Sequence, residues 1–170
     1  ANSTLAMSLE ERGVPARSLT GREAGIVTSP TPVDASIERV DIQHVADLVS
    51  EGIIPVVAGF QGYYGDPSGG RDEVSILGRG GSNLTAVALA DELEQEACIM
   101  FTDVDGVYDC DPAVYGEQAC KLGKVTASEL LEMDECPQVI QREALQYACD
   151  RGVNIWIQSA FEPERDGTLI

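Results

Sequence analysis

The stretch Ile53-Ile54-Pro55-Val56-Val57-Ala58-Gly59-Phe60 is apolar almost without interruption and is entered from Gly52. A short, β-branched run without polar alternation suits a strand covered on both faces, as in a parallel sheet between helices. That strand needs helices around it, and the flanking sequence carries their pattern. Ser3 to Arg12 predicts a helix with Leu5 and Leu9 on one face, ended by Gly13. Asp41 to Ser50 predicts a second, with Val45 and Leu48 to Val49 as its apolar stripe. Ser82 to Glu94 predicts a third. Thr126 and Glu129 form a capping box for a short helix through Met133, and Pro137 suits the first position of a last helix reaching Arg151 before Gly152.

Further strands are expected at Pro15 to Leu19, Gly25 to Thr28, Cys98 to Thr102 and Val153 to Ile157. Gln61 to Arg71, rich in Gly, Tyr and Pro, is expected to be a loop. Alternating helices and strands make the class α/β with a mainly parallel sheet. Ligands on such sheets bind beyond the carboxyl ends of the strands.

Composition narrows the partners. The 170 residues carry 44% hydrophobic side chains, enough for a packed core. Asp and Glu number 29 against 11 Lys plus Arg, a net charge of -18. Nucleic acid and anionic membrane surfaces both call for clustered cations, so neither is an expected partner. There is no bilayer-length apolar run, and the first residues lack the charged-then-apolar pattern expected of a signal peptide. The chain opens at Ala1 within a predicted helix, which reads as a fragment. Cys98, Cys110, Cys120, Cys136 and Cys149 lack zinc or disulfide-framework spacing and are expected to be free thiols. His44, the only histidine, sits on a helix that looks structural, and Trp156 is expected in the core.

Two segments carry unusual chemistry. Gly78-Arg79-Gly80-Gly81-Ser82 leads into the helix that begins near Asn83. Its glycines let backbone amides approach a ligand, the helix N-terminus adds partial positive charge, and Arg79 offers a planar fork for carboxylate or phosphate. Ser82 suits an N-cap or a ligand donor. The spacing fits neither a Walker A loop nor G-x-G-x-x-G, so the segment describes an anion site or a plain Gly-rich turn. Thr102-Asp103-Val104-Asp105-Gly106-Val107-Tyr108-Asp109-Cys110-Asp111-Pro112 follows a strand and gathers four aspartates. Gly106 is misplaced for an EF-hand. A nucleotide site, with Asp on ribose hydroxyls and Tyr108 beside the base, and a loop whose acids only cap backbone amides both remain open.

Together the two segments resemble a known family. Leu77 to Ser82, with Thr85-Ala86 beyond, resembles the substrate loop of aspartokinases. Thr102 to Tyr108, with Asp111-Pro112, resembles the nucleotide loop of the wider amino-acid kinase family. Ile54 to Phe60, Ser3-Thr4-Leu5 and Gly167-Thr168-Leu169-Ile170 agree. The resemblance implies a three-layer α/β/α sandwich, with residues 1–170 a partial catalytic domain incomplete at its N-terminus. It implies transfer of the ATP γ-phosphoryl to the side-chain carboxylate of L-aspartate with Mg²⁺, at the start of lysine, threonine and methionine synthesis. A cytoplasmic homo-oligomer is implied too.

Carried over residue by residue, Arg79, Gly80, Gly81 and Ser82 would hold the substrate. Thr102, Asp103, Tyr108, Asp111, Gln138 and Val139 fall at nucleotide-binding positions. Three departures stand out. Asn83 replaces the family's Asp, which helps orient a catalytic lysine; Ala113 replaces an Arg; and Gln138 replaces a Lys. The family's Lys-Phe-Gly-Gly segment, source of that lysine, has no counterpart here, so these residues alone are expected not to turn over.

Overall fold

The computed structural model describes residues 2–65, 72–133 and 139–170, which fall into two compact units, Ala1–Leu93 and Glu94–Ile170. In the first, α1 (Asn2–Glu11) precedes β1 (Ala16–Leu19), β2 (Ile26–Thr28) and β3 (Ile37–Val40). Next come α2 (Gln43–Ser50), β4 (Ile54–Val57), β5 (Gln61–Tyr64), β6 (Glu73–Ile76) and α3 (Gly81–Glu92). β4 lies parallel to β1, in register from Ala16 against Ile54 to Leu19 against Val57. The amides of Ile54 and Ala58 point at β1, bonding Pro15 and Leu19, so the nitrogen of Pro55 points away from it. A proline is tolerated in a strand when its missing donor faces the unpaired side.

Full coverage of that strand is not what the structure holds. Ile54 is 44% exposed and Val56 and Val57 are half-buried. The reason is that β1 is the one strand paired with β4 among the described residues, while α1 and α2 pack on it. The unit's buried side chains include Leu19 and Ile26 on strands, with Val45, Leu48 and Val87 from the helices.

A four-stranded sheet runs β3-β2-β5-β6, with β2 parallel to β5 and the other pairs antiparallel. The expected loop over 61–71 is therefore corrected at its start: residues 61–64 are β5, and 66–71 lie outside the described residues. Gly62 looks like a loop signal but is a packing requirement. A Cβ there would stand 2.5 Å from Thr28 Cγ2 and 2.7 Å from the Ile26 carbonyl. Thr28 and Ser75, both buried, share a 2.6 Å hydrogen bond within this sheet.

The second unit comprises β7 (Cys98–Thr102), β8 (Val107–Tyr108), α4 (Pro112–Tyr115), a 3₁₀ turn at Gly116–Gln118 and β9 (Lys121–Leu122). These are followed by α5 (Ala127–Glu132), α6 (Arg142–Arg151), β10 (Ile155–Ser159) and β11 (Thr168–Leu169). β10 pairs parallel with β7 and antiparallel with β11, while β8 and β9 make a small antiparallel pair. Ile155 and Ile157 are fully buried, with Leu130 of α5 and Ala144, Leu145 and Ala148 of α6. Thr126 and Glu129 close the expected capping box. α6 starts at Arg142, five residues after Pro137, which lies outside the described residues; Gly152 at φ 71° ends it as expected.

Trp156 corrects another expectation: it is 39% exposed, on the face of β10 opposite Ile155 and Ile157. Cys98, Cys110, Cys120 and Cys149 are free thiols, and Cys136 lies outside the described residues. His44 is exposed. No described helix is long and apolar enough to cross a membrane.

Candidate functional site

The glycine segment is assembled from backbone. Leu77 is buried, bridges to Ala35 and donates its amide to the Phe60 carbonyl at 3.1 Å, which anchors the chain before the turn. Gly80, at φ 76°, is the left-handed residue that swings the chain into α3. Gly81 has no room for a side chain: a Cβ would lie 2.5 Å from Leu77 Cβ and 2.9 Å from the Phe60 ring. Gly59, two residues beyond β4, likewise rests on Ser82, whose Oγ would be 3.1 Å from a Cβ.

Thr85 stitches these parts together. Its hydroxyl donates to the Gly81 carbonyl at 2.7 Å and accepts the Phe60 amide at 3.3 Å. Phe60 itself sits at φ 70°, a conformation that costs a bulky residue about 1–3 kcal/mol and is held by its surroundings. Asn83 and Leu84 return their amides to the Gly80 carbonyl. Ser82 is thus the second helical residue and not the N-cap; Gly80 holds that position, with no side chain capping the helix and no acid in the first turn. Arg79 is exposed and forms no ion pair among the described residues. The result is a pre-shaped turn with a guanidinium, a hydroxyl and helix-terminal amides suited to a carboxylate or phosphate.

The acidic segment is assembled from side chains. Thr102, at the end of β7, donates its hydroxyl to the Val104 carbonyl at 2.9 Å and turns the chain. Asp103 is exposed. Asp105 accepts from the Tyr108 hydroxyl at 3.1 Å and from Lys121 Nζ at 3.3 Å. Burial pushes the Asp105 carboxyl up, but the Tyr108 hydrogen bond and the Lys121 ammonium outweigh it and leave the group below its ordinary range. Tyr108 is raised, by burial first and then by its bond to the carboxylate.

Asp109 accepts the Cys120 amide at 2.8 Å, and Asp111 caps α4 by accepting the Ala113 amide at 2.8 Å, with Pro112 at the first helical position. Of the four aspartates, three hold the loop itself and Asp103 is left facing solvent. Val139 is half-buried in the turn before α6, and Gln138 lies outside the described residues. Among the described residues no three acids, cysteines or histidines gather as metal ligands.

The residues that sequence reasoning left unassigned are Phe60, Thr85, Lys121 and Thr168. Lys121 carried a signal, being one of two lysines in the chain. Thr168 stands only within the Gly167-to-Ile170 resemblance, with no role readable there because its partners lie far away: it accepts the Val107 amide at 2.8 Å and donates to the Leu122 carbonyl.

The model of the amino acid kinase family matches residues 1–169. An aspartokinase of Bacillus sp. strain MGA3 is 41% identical over 169 residues, 99% of this chain and 39% of that protein. One from Pseudomonas aeruginosa is 41% identical over 167 residues, 98% of this chain and again 39% of its relative. The chain thus spans about two fifths of the length of the curated relatives it matches. Among solved structures, Escherichia coli aspartokinase III in complex with aspartate and ADP superposes with a TM-score of 0.84 at 26% identity. That match covers 99% of this chain and 37% of the other.

Proposed function

The chain belongs to the amino acid kinase family, and from that premise we propose that it forms the catalytic part of an aspartate kinase. The reaction is transfer of the γ-phosphoryl of ATP to the side-chain carboxylate of L-aspartate, giving 4-phospho-L-aspartate. The observation that carries this reading is the turn from Leu77 to Ser82, where the left-handed Gly80 and the close-packed Gly81 lead the chain from Arg79 directly into the N-terminus of α3. Phosphoryl transfer to a carboxylate asks mainly for positioning and charge neutralisation, which such a turn supplies.

In this reading Arg79 pairs with a substrate carboxylate, and Gly80, Gly81 and Ser82 close around it. Thr102, Asp103 and Tyr108 form the nucleotide end. Asp111, which the resemblance also places there, acts through the loop by capping α4. Val139 and Gln138 complete the nucleotide positions. Asn83 stands where the family has Asp and cannot carry a negative charge, so lysine orientation at that point rests on its amide. Residues 1–170 contain no Lys-Phe-Gly-Gly segment, and we propose no turnover for them alone. The product would feed lysine, threonine and methionine synthesis in the cytoplasm, from a homo-oligomer.

The test is aspartyl hydroxamate formation, with ATP, Mg²⁺ and L-aspartate, by the protein that carries residues 1–170 as its catalytic part, against a panel of other acceptor acids and phosphates. Aspartate-selective turnover that disappears in Arg79→Ala supports the reading. Turnover of another acceptor, or none at all with intact folding, overturns it. A non-catalytic ligand-binding domain is favoured in the last case by Asn83, Ala113 and Gln138, three positions where a charged family residue is missing.

A further inference from the structure

The acidic segment is not held by its own residues alone. Lys121, on β9, extends its ammonium to the Asp105 carboxylate and to the backbone carbonyl of Asp166, more than forty residues further along the chain. The same Asp105 takes the Tyr108 hydroxyl on its other oxygen. Gly106 makes room for this crossing. A Cβ there would lie 2.8 Å from Lys121 Cε and 2.7 Å from Thr168 Oγ1. Thr168 in turn bonds the Val107 amide on β8 and the Leu122 carbonyl on β9. Lys121 and Thr168 therefore both pack against one glycine and tie three pieces of chain together: the loop 103–106, the β8–β9 pair and the segment 166–168.

We infer that Lys121 is a positioning residue for nucleotide binding, fixing Tyr108 and the loop 103–106 through Asp105 and joining them to the segment around Asp166. This inference rests on the reading of Thr102, Asp103 and Tyr108 as the nucleotide end. The physical argument is one of preorganisation. An exposed loop bearing four aspartates repels itself and would be mobile without a cation. Lys121 and Asp105 are each only about a quarter to a third exposed, so their attraction is less screened than that of a surface pair. With the loop already ordered, a nucleotide does not have to bear the entropy of arranging it.

The experiment uses the full chain as wild type, Lys121→Met and Lys121→Arg. Calorimetric titration with ADP, and separately with L-aspartate, is combined with amide exchange over 103–109 and 165–169. Lys121→Met should weaken ADP about tenfold, leave aspartate affinity and melting temperature close to wild type, and speed exchange in both segments. Lys121→Arg should restore most of the ADP affinity, because it can still span carboxylate and carbonyl.

Wild-type ADP affinity in Lys121→Met overturns the inference. So does parallel weakening of ADP and aspartate with a lower melting temperature, which marks a general structural role. If the wild-type chain itself binds no ADP, the nucleotide reading falls and this role with it. That failure is told apart from the others by the wild-type titration alone.

Discussion

The turn from Leu77 to Ser82 and the segment from Thr102 to Asp111 both follow a strand, yet they reach order by opposite means. The first is shaped by absent side chains: Gly80 supplies the left-handed dihedral, and Gly81 leaves space for Leu77 and Phe60. Its charged group, Arg79, forms no ion pair among the described residues and is left for a ligand. The second is shaped by present side chains, with Asp105, Asp109 and Asp111 each spent on a bond within the unit. A backbone-built site tolerates few substitutions but keeps its charge free. A network-built site shares its charges, and each change is spread over several bonds.

The sharpest test of that contrast is Arg79→Ala. With no ion pair to lose among the described residues, the change should leave the melting temperature near wild type. A charge-assisted pair to a substrate carboxylate contributes about 1.5–3 kcal/mol. Aspartate kcat/KM should therefore fall about 10- to 100-fold, read by the hydroxamate assay. A large drop in stability would instead mean that Arg79 is bonded within the fold. Gly81→Ala should do the reverse, damaging the fold first. Its Cβ has backbone-anchored Leu77 and the Phe60 ring as neighbours at 2.5 and 2.9 Å, and overpacking of this kind costs about 1–3 kcal/mol. Urea unfolding measures it; a neutral result would show that the turn can shift.

What could be read in advance follows the same division. The glycine segment was legible because its chemistry lies in consecutive residues, and so was the capping box of Thr126 and Glu129. The α/β class and most helices followed from periodicity. β5 was missed because Gly62 has the composition of a loop while serving close packing against Thr28 and Ile26. β8, β9 and β11 are only two residues long, too short for alternation to register, while β3 and β6 bury one residue each and so carry little apolar signal. Thr168 and Lys121 were missed as site residues because their bonds span 46 to 61 and 16 to 45 positions. Trp156, an aromatic on the closing strand, is expected in the core, whereas the period of β10 turns it away from Ile155 and Ile157.

Asp111→Ala separates the two roles open to that residue. As a helix cap it contributes about 0.5–2 kcal/mol to local stability, spread here over α4, a single turn. Amide exchange at Ala113 to Tyr115 should rise, while ADP affinity changes less than it does on removing Lys121. An ADP loss larger than that of Lys121→Met would make Asp111 a direct nucleotide ligand and would break the claim that three of the four acids serve the loop.

The smallest effect expected is a pH dependence of the Lys121 tether. The Asp105 carboxyl is held below its ordinary value near 3.8 in the folded chain. A group depressed on folding contributes stability that is fully present above the unfolded value and is lost as pH falls through the folded one. The pair is partly exposed, so its share is at most about 1 kcal/mol. Wild type should therefore exceed Lys121→Met by a small, constant margin in urea unfolding from pH 7 down to about 4. The margin should close below that, as Asp105 takes up its proton and the ammonium loses its partner. A margin unchanged at low pH would mean that Lys121 holds the unit through the Asp166 carbonyl, which does not titrate, and that the carboxylate is dispensable.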